Sequence, residues 1–365
     1  MADQTTAATP TRERVTILGD GAMATVCSIL LTQGGHEVTM WGAFEESIER
    51  LIQNREQQRL LPGARIPPGV RLTANDGDCF RGATMVLSAI PTQYMRSVWQ
   101  RLGSRLPDGL PIASVAKGIE NGTLLRPTQI IADVLGGRAG RPEGSEARRP
   151  GGSEGRREDG HALVALSGPN IAAELAKYLP GTAVIASEDL DVARRVQAAF
   201  ATQWFRVYTN ADVVGVELAG ATKNVIAIAA GILDGLAAGN NAKAALVTRG
   251  LVEITRLGVA MGAKAETFGG LAGLGDLITT CVSPEGRNRT VGERIGKGQK
   301  LDDILGGMDS VAEGVPTTRA VRQLAVRYGV EMPITEAVHS VLFDGKDAIA
   351  ALTDLMSRDP KPEHA

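Results

Sequence analysis

Between Val15 and Thr209 short apolar runs recur between stretches of helical period. VTILG (15–19), EVTMW (37–41), TMVLSAI (84–90), PIASVA (111–116), ALVALS (162–167), GTAVIAS (181–187) and WFRVYT (204–209) are mostly near-continuous in apolar residues. That is the pattern of strands covered on both faces. The helical segments between them predict right-handed βαβ units on a mostly parallel sheet. After Asn210 the period changes: 211–235, 241–261, 290–297, 315–329 and 346–356 read as helices, with no convincing strand. The expected architecture is an α/β N-terminal domain over 14–209 followed by an all-α C-terminal domain over 210–357. Residues 1–13 and 358–365 are read as tails.

One segment fits neither domain. Residues 136–160, GGRAGRPEGSEARRPGGSEGRREDG, hold no Val, Ile, Leu, Met or aromatic residue, and six Arg face five acidic residues. Such a stretch can bury no apolar surface, so a disordered surface insertion is expected.

Composition narrows the function classes. A chain of 365 residues suits about two domains, and 43% hydrophobic with 22% charged residues is ordinary globular content. A formal net charge of −2 provides no electrostatic basis for binding nucleic acid or an anionic membrane. No apolar run approaches the ~20 residues of a membrane span, 224–236 being broken by Gly231 and Asp234. The lead-in MADQTTAATPTRER lacks the apolar core of a signal peptide, so a cytoplasmic location is expected. Cys27, Cys79 and Cys281 are odd in number and lack metal-ligand spacing; reduced thiols and no metal are expected, with Cys281 as small core filler.

The first apolar run leads directly into chemistry. VTILG continues into Gly19-Asp20-Gly21-Ala22-Met23-Ala24 and then a helical stretch, a GxGxxA motif after a strand and opening a helix. Gly19 permits a tight turn, Gly21 lets the backbone approach a pyrophosphate, and Ala24 keeps helix and sheet close. The helix N-terminus offers free N–H groups to the phosphates. This is the fingerprint of a Rossmann-type dinucleotide site. About twenty residues on, Gly42-Ala43-Phe44-Glu45-Glu46 offers carboxylates to ribose hydroxyls and no cation to a 2′-phosphate, which favours NAD over NADP. Glu45 serves equally as a first-turn helix residue favoured by the dipole.

Three further stretches carry ionisable groups. Lys223 and Asn224 stand inside ELAGATKNVIAIAAGILDGL (217–236), an apolar helix where an unpaired amine is costly. Lys117 ends the strand at 111–116, at the sheet edge where open α/β folds bind ligands. Four glycines within 269–275 precede Asp276, a sign of tight backbone packing, and Arg287-Asn288-Arg289 follow. Arg287 carries a planar fork of donors suited to phosphate, and Asn288 adds a neutral donor.

Together these blocks resemble the bacterial NAD(P)-dependent glycerol-3-phosphate dehydrogenase family from about Val15 to about Ala350, the insertion excepted. The matching stretches are GDGAMAT, NREQQRLLPGARIP, SAIPTQ, ASVAKGIE, LSGPNIAAE, VELAGATKNVIAIAAGILDG, GLAGLGDLITTC, GRNRTVG and AEGVPTT. The resemblance implies reversible reduction of dihydroxyacetone phosphate to sn-glycerol 3-phosphate with NAD, or NADP, as cofactor, in support of phospholipid synthesis. It implies Lys223 as general acid–base, its pKa brought down by burial and by Lys117, and Asp276 as the residue that orients it. Lys117 would touch both substrate and cofactor. Gly168, Asn170, Asn224, Arg287 and Asn288 would surround the glycerol phosphate. Ala22, Met23, Ala172, Val311 and Glu313, with Arg287, would line the cofactor, and a homodimer through the helical domain is expected. Asn170 and Gly286 stand where hydroxyl residues are usual, and Ala43-Phe44 lacks the usual base. The rivals are a 3-hydroxyacid or 6-phosphogluconate dehydrogenase, whose families lack the GLGDL and RNR blocks, and a non-catalytic NAD sensor, which needs no acid–base amine.

Overall fold

The computed structural model describes residues 12–136, 160–360 and 362; the insertion at 137–159 and most of the first tail lie outside the described residues. Eight strands form one sheet: β1 (Arg14–Leu18), β2 (Glu37–Trp41), β3 (Arg71–Thr73), β4 (Met85–Ser88), β5 (Ile112–Ser114), β6 (Leu163–Ser167), β7 (Gly181–Ala186) and β8 (Phe205–Asn210). Their order is β3-β2-β1-β4-β5-β6-β7-β8, and every neighbouring pair is parallel except β6 with β7. The seven expected strands are all present within a few residues of their expected ends; β3 is the one the apolar pattern missed.

Helices cover both faces, as parallel strands require. They are α1 (Ala22–Gln33), α2 (Glu45–Asn54), α3 (Thr92–Leu102), α4 (Pro127–Gly136), the one-turn α5 (Ala172–Leu175) and α6 (Leu190–Phe200). Side chains of a strand alternate between faces. In β1, Ile17 joins the core beneath α1 and α6, while Leu18 joins the one beneath α3 and α4. Glu13, assigned to the disordered tail on sequence, is instead 5% exposed. Its carboxylate accepts from Arg195 Nε at 2.7 Å and Nη2 at 2.8 Å, and its N–H donates to His36 Nδ1.

The second part is helical: α7 (Val213–Gly235), α8 (Gly239–Ala260), α9 (Ala265–Phe268), α10 (Asp276–Val282), α11 (Arg287–Gly296), α12 (Leu301–Gly306), α13 (Gly314–Tyr328), α14 (Pro333–Phe343) and α15 (Ala348–Met356). Helix α7 is buried nearly all round and is the axis of this core. Asp212 caps it, accepting from Gly215 N at 2.8 Å and from Lys264 N and Thr267 Oγ1 at 2.9 and 2.6 Å, which also fixes α9. Among the described residues α7 alone is long and apolar enough to cross a membrane, with 94% of its most apolar stretch buried in the fold. The sequence reading understated this run by starting it at Asn224. It begins at Val213, and Lys223 interrupts it without ending it.

Helices α7 and α11 meet main chain to main chain. A Cβ on Gly231 would lie 1.9 Å from Arg289 O, and one on Gly292 would lie 2.0 Å from Ile228 O. Gly235 and Gly296 extend the same contact by one turn, so each helix contributes glycines four residues apart. This seam sets the start of α11, with Arg287 and Asn288, relative to α7. Nearer the other end of α7, Glu217 accepts from Thr128 N and Oγ1 at 2.7 Å and from Arg126, tying α7 to the start of α4.

Candidate active site

At the dinucleotide loop, β1 ends and Gly19 adopts φ +123°, a conformation glycine tolerates and other residues rarely adopt. A Cβ there would also meet Ala89 O at 2.7 Å. Gly21 precedes α1, whose N-terminus has no side-chain cap, so its first N–H groups are available to an anion. Ala22 and Met23 are half-buried in that first turn and Ala24 is buried in the core. A stretch valued on sequence only as a family match packs over this loop: Gln57 Nε2 donates to Asp20 O at 2.5 Å, and Leu60 is the neighbour a Cβ on Gly21 would meet. The loop therefore fits a pyrophosphate, with a glycine cradle and an uncapped helix end. Glu45 lies exposed in the first turn of α2.

The amines converge elsewhere, where strand ends face the helical part. Lys223, 5% exposed, places Nζ 2.9 Å from Asp276 Oδ1 and donates to Thr280 Oγ1. Lys117 Nζ lies 2.7 Å from Asp276 Oδ2 and donates to Gly168 O at 2.8 Å. One buried carboxylate thus holds two amines. Burial brings the Lys223 amine down to about 8; the Lys117 charge adds to this and the Asp276 carboxylate opposes it. Asp276 is the first residue of α10, which continues directly from a turn at 271–275. Thr280, one turn on, donates to Asp276 Oδ1 at 3.3 Å. Sequence reasoning missed Thr280, although its i+4 spacing from Asp276 puts both on one helix face.

The glycines before Asp276 do pack tightly: a Cβ on Gly273 would lie 2.0 Å from Phe268 O. The chain crosses from α9 to α10 as a single π-turn, Leu271–Gly275. Gly168 has φ +131°, and a Cβ on it would meet Thr182 O at 3.0 Å; its carbonyl is thereby presented to Lys117. Two residues on, Asn170 Nδ2 makes only a 3.4 Å contact to Thr182 O, and its buried Oδ1 has no partner among the described residues. A buried acceptor of this kind suits a ligand's donor. Ala172 opens the short α5 just beyond, half-buried.

Other expected residues bind backbone. Asn224 Nδ2 donates to Lys117 O at 2.8 Å, so α7 itself positions the Lys117 loop. Asn288 Oδ1 accepts from Gly314 N at 2.9 Å, capping α13. Glu313 Oε1 accepts from Thr92 N and Oγ1 at 2.9 and 3.0 Å, and its Oε2 from Lys117 N at 3.4 Å. Glu313 therefore joins the helical part to the start of α3 and to the Lys117 loop, while Val311 lies half-buried just before it. The two arginines of the RNR block separate clearly. Arg289 is engaged with Asp234 at 2.6 Å, Ser283 O and Glu293. Arg287 is exposed at the first residue of α11, with no hydrogen bond or ion pair among the described residues. Lys117, Gly168, Lys223, Asn224, Asp276 and Glu313 thus form one bonded network, and Asn288 joins it through Gly314. Glu45 does not. A separate concavity of about 970 Å³, lined by Lys297, Lys300, Arg319 and Phe343 among others, contains none of these groups.

Comparison with known proteins places both halves. Residues 14–141 match the family model for the NAD-dependent glycerol-3-phosphate dehydrogenase N-terminus, and 212–353 match the model for its C-terminus. A glycerol-3-phosphate dehydrogenase [NAD(P)+] of Koribacter versatilis is 46% identical over 352 residues, covering 96% of this chain and 98% of that protein. One from Prosthecochloris aestuarii is 43% identical over 349 residues, covering 96% and 99%. The crystal structure of glycerol-3-phosphate dehydrogenase from Coxiella burnetii superposes with a TM-score of 0.86 at 32% identity, covering 96% of this chain and all of that one.

Proposed function

Because the chain belongs to the NAD-dependent glycerol-3-phosphate dehydrogenase family, we propose a division of labour among its residues. The protein is an NAD(P)-dependent oxidoreductase that interconverts dihydroxyacetone phosphate and sn-glycerol 3-phosphate. NAD(P)H, when bound, supplies hydride to C2 of dihydroxyacetone phosphate. Lys223 gives its proton to the C2 oxygen in reduction and removes it in oxidation. Asp276 and Thr280 aim the amine, and Asp276 holds Lys117 beside it. With Arg287 added, three cations against the carboxylates of Asp276 and Glu313 leave a net positive site, matched to a phosphorylated substrate. Arg287 takes the phosphate with its unengaged fork, and the Asn170 amide accepts from a substrate hydroxyl. Asn224 and Asn288 brace this pocket through Lys117 O and Gly314 N.

On this reading Gly19, Gly21, Ala22, Met23 and Ala24 hold the pyrophosphate, while Ala172, Val311 and Glu313 border the nicotinamide end. Residues 14–209 form the cofactor domain and 210–357 the catalytic one. The product feeds phospholipid synthesis, and the working unit is a cytoplasmic homodimer joined through the helical domain.

The observation that carries the proposal is the Lys223 amine, buried and set near 8 between Asp276 and Lys117. Its protonated form serves reduction and its neutral form oxidation, so the two directions respond oppositely to pH. Initial rates at saturating substrate are expected to fall about tenfold per pH unit above ~8 for reduction, and to fall likewise below ~8 for oxidation. Parallel profiles in the two directions would remove Lys223 from proton transfer.

A further inference from the structure

We propose that Asp20, inside the glycine loop, is the residue with which this chain reads the adenosine ribose of its cofactor, accepting from the ribose hydroxyls and turning away a 2′-phosphate. The assignment rests on the cofactor-loop reading above. In a parallel dinucleotide fold the pyrophosphate sits at the first helix and the ribose near the end of the second strand, where an acidic side chain accepts from its hydroxyls. After β2 this chain has Gly42, Ala43 and Phe44, none of them ionisable, and Glu45 and Glu46 are exposed on the first turn of α2.

The carboxylate at that place comes from the first strand's loop instead. Asp20 Oδ2 accepts from Ser47 Oγ at 2.6 Å, and a Cβ on Gly42 would lie 3.0 Å from both Asp20 Cγ and Oδ2. The Asp20 side chain therefore reaches across from the end of β1 and lies against Gly42, the residue that follows β2. Gly42 leaves it room, since any side chain there would meet Asp20 and Ile48 Cδ1, the latter at 2.8 Å. The backbone is fixed as well, because Gln57 Nε2 donates to Asp20 O. Ser47 uses one of about four lone-pair sites on the carboxylate, and the rest remain available to a diol.

The neighbouring cation does not reverse this selection. Arg101 Nη1 donates to Ala43 O at 3.2 Å, but its Nε pairs with Asp76 Oδ2 at 2.7 Å and its guanidinium stacks 5.1 Å from the Trp41 ring centroid. Trp41 belongs to the core beneath α3, whereas Ile48, beside Asp20, belongs to the core beneath α1. Arg101 is already engaged by Asp76, the Trp41 ring and Ala43 O.

Calorimetric titration of the full chain with NADH and with NADPH, repeated with 5′-AMP and adenosine 2′,5′-bisphosphate, tests the assignment. The wild type is expected to bind NADH more tightly than NADPH. Asp20→Asn, which keeps the Ser47 hydrogen bond, and Asp20→Ala are both expected to narrow that ratio by about tenfold or more, mainly by tightening NADPH. The 2′-phosphorylated fragment should follow the same trend. Ratios unchanged within about twofold in both variants, or a larger change on Arg101→Gln than on Asp20→Asn, would overturn the assignment while leaving the cofactor loop in place. Absence of any binding of the four ligands to the wild type would overturn the cofactor-loop reading with it.

Discussion

The two ends of the site are built from different material. Around Gly19 the working groups are main-chain N–H donors at an uncapped helix end, and glycines keep side chains out of the way. Around Lys223 they are side chains drawn from a strand-end loop and two helices, Lys117, Lys223 and Asp276, placed by sequence separations of 53 to 159 residues. A backbone cradle depends on shape, and several sequences can adopt the same shape. A cluster of charges depends on identity, because Asp276 and Lys117 both act on the charge of Lys223. Loss of one member should therefore be costly in chemistry at the second end, while the first end continues to bind.

Removing the amine should break this comparison open most strongly. Lys223→Ala is expected to lower kcat by ~10²–10⁴-fold with NADH affinity nearly unchanged. Pre-steady-state turnover and NADH titration read the two effects separately, and a variant keeping more than half the wild-type kcat would dismiss Lys223 as the acid–base. The second test loads the scaffold shared by the charge cluster and the phosphate residues. Gly292→Ala forces a Cβ to 2.0 Å from Ile228 O. Overpacking of this kind costs about 1–3 kcal/mol, with ~1 kcal/mol moving the melting midpoint of a large domain by ~2–4 °C. Scanning calorimetry should show a drop of several degrees; an unchanged midpoint would mean the helices separate without strain. The smallest effect sharpens the division within the second end. Arg287→Lys keeps the charge and loses the bidentate fork, so KM for dihydroxyacetone phosphate should rise about tenfold while KM for NADH barely moves. Equal changes in both constants would assign Arg287 to the cofactor.

The same contrast explains what could be read before the structure. The sheet was legible because strands buried on both faces are continuous in apolar residues, as in Ile17–Leu18 and Met85–Val86–Leu87. Strand β3 escaped because it has three residues, Arg71, Leu72 and Thr73, two of them polar. The dinucleotide loop was legible because its glycines lie within a few residues of one another. The charge cluster was legible only through family blocks, since no spacing rule links Lys117 to Asp276 across 159 residues. Contacts such as Glu313 with Thr92, 221 residues apart, left no local signal at all. Glu13 was read as tail because its partners, Arg195 and His36, are distant in the chain and near in space. The sequence reading chose Arg287 and not Arg289 for the phosphate, but the physical reason lies in Asp234 and Glu293, which engage Arg289.

The glycine contact between α7 and α11 also bears on how this protein can change over generations. Where side chains meet, an enlarged residue on one helix can be matched by a smaller one opposite, and lineages can drift through such exchanges. Here Gly231 faces Arg289 O and Gly292 faces Ile228 O. The opposing group is main chain in both cases, and no substitution makes main chain smaller. A descendant carrying a larger residue at either position has no compensating partner to recruit; it can only shift a whole helix, and with it Lys223 or Arg287. The seam thus ties heritable variation in packing to the placement of the site, at positions outside its bonded network.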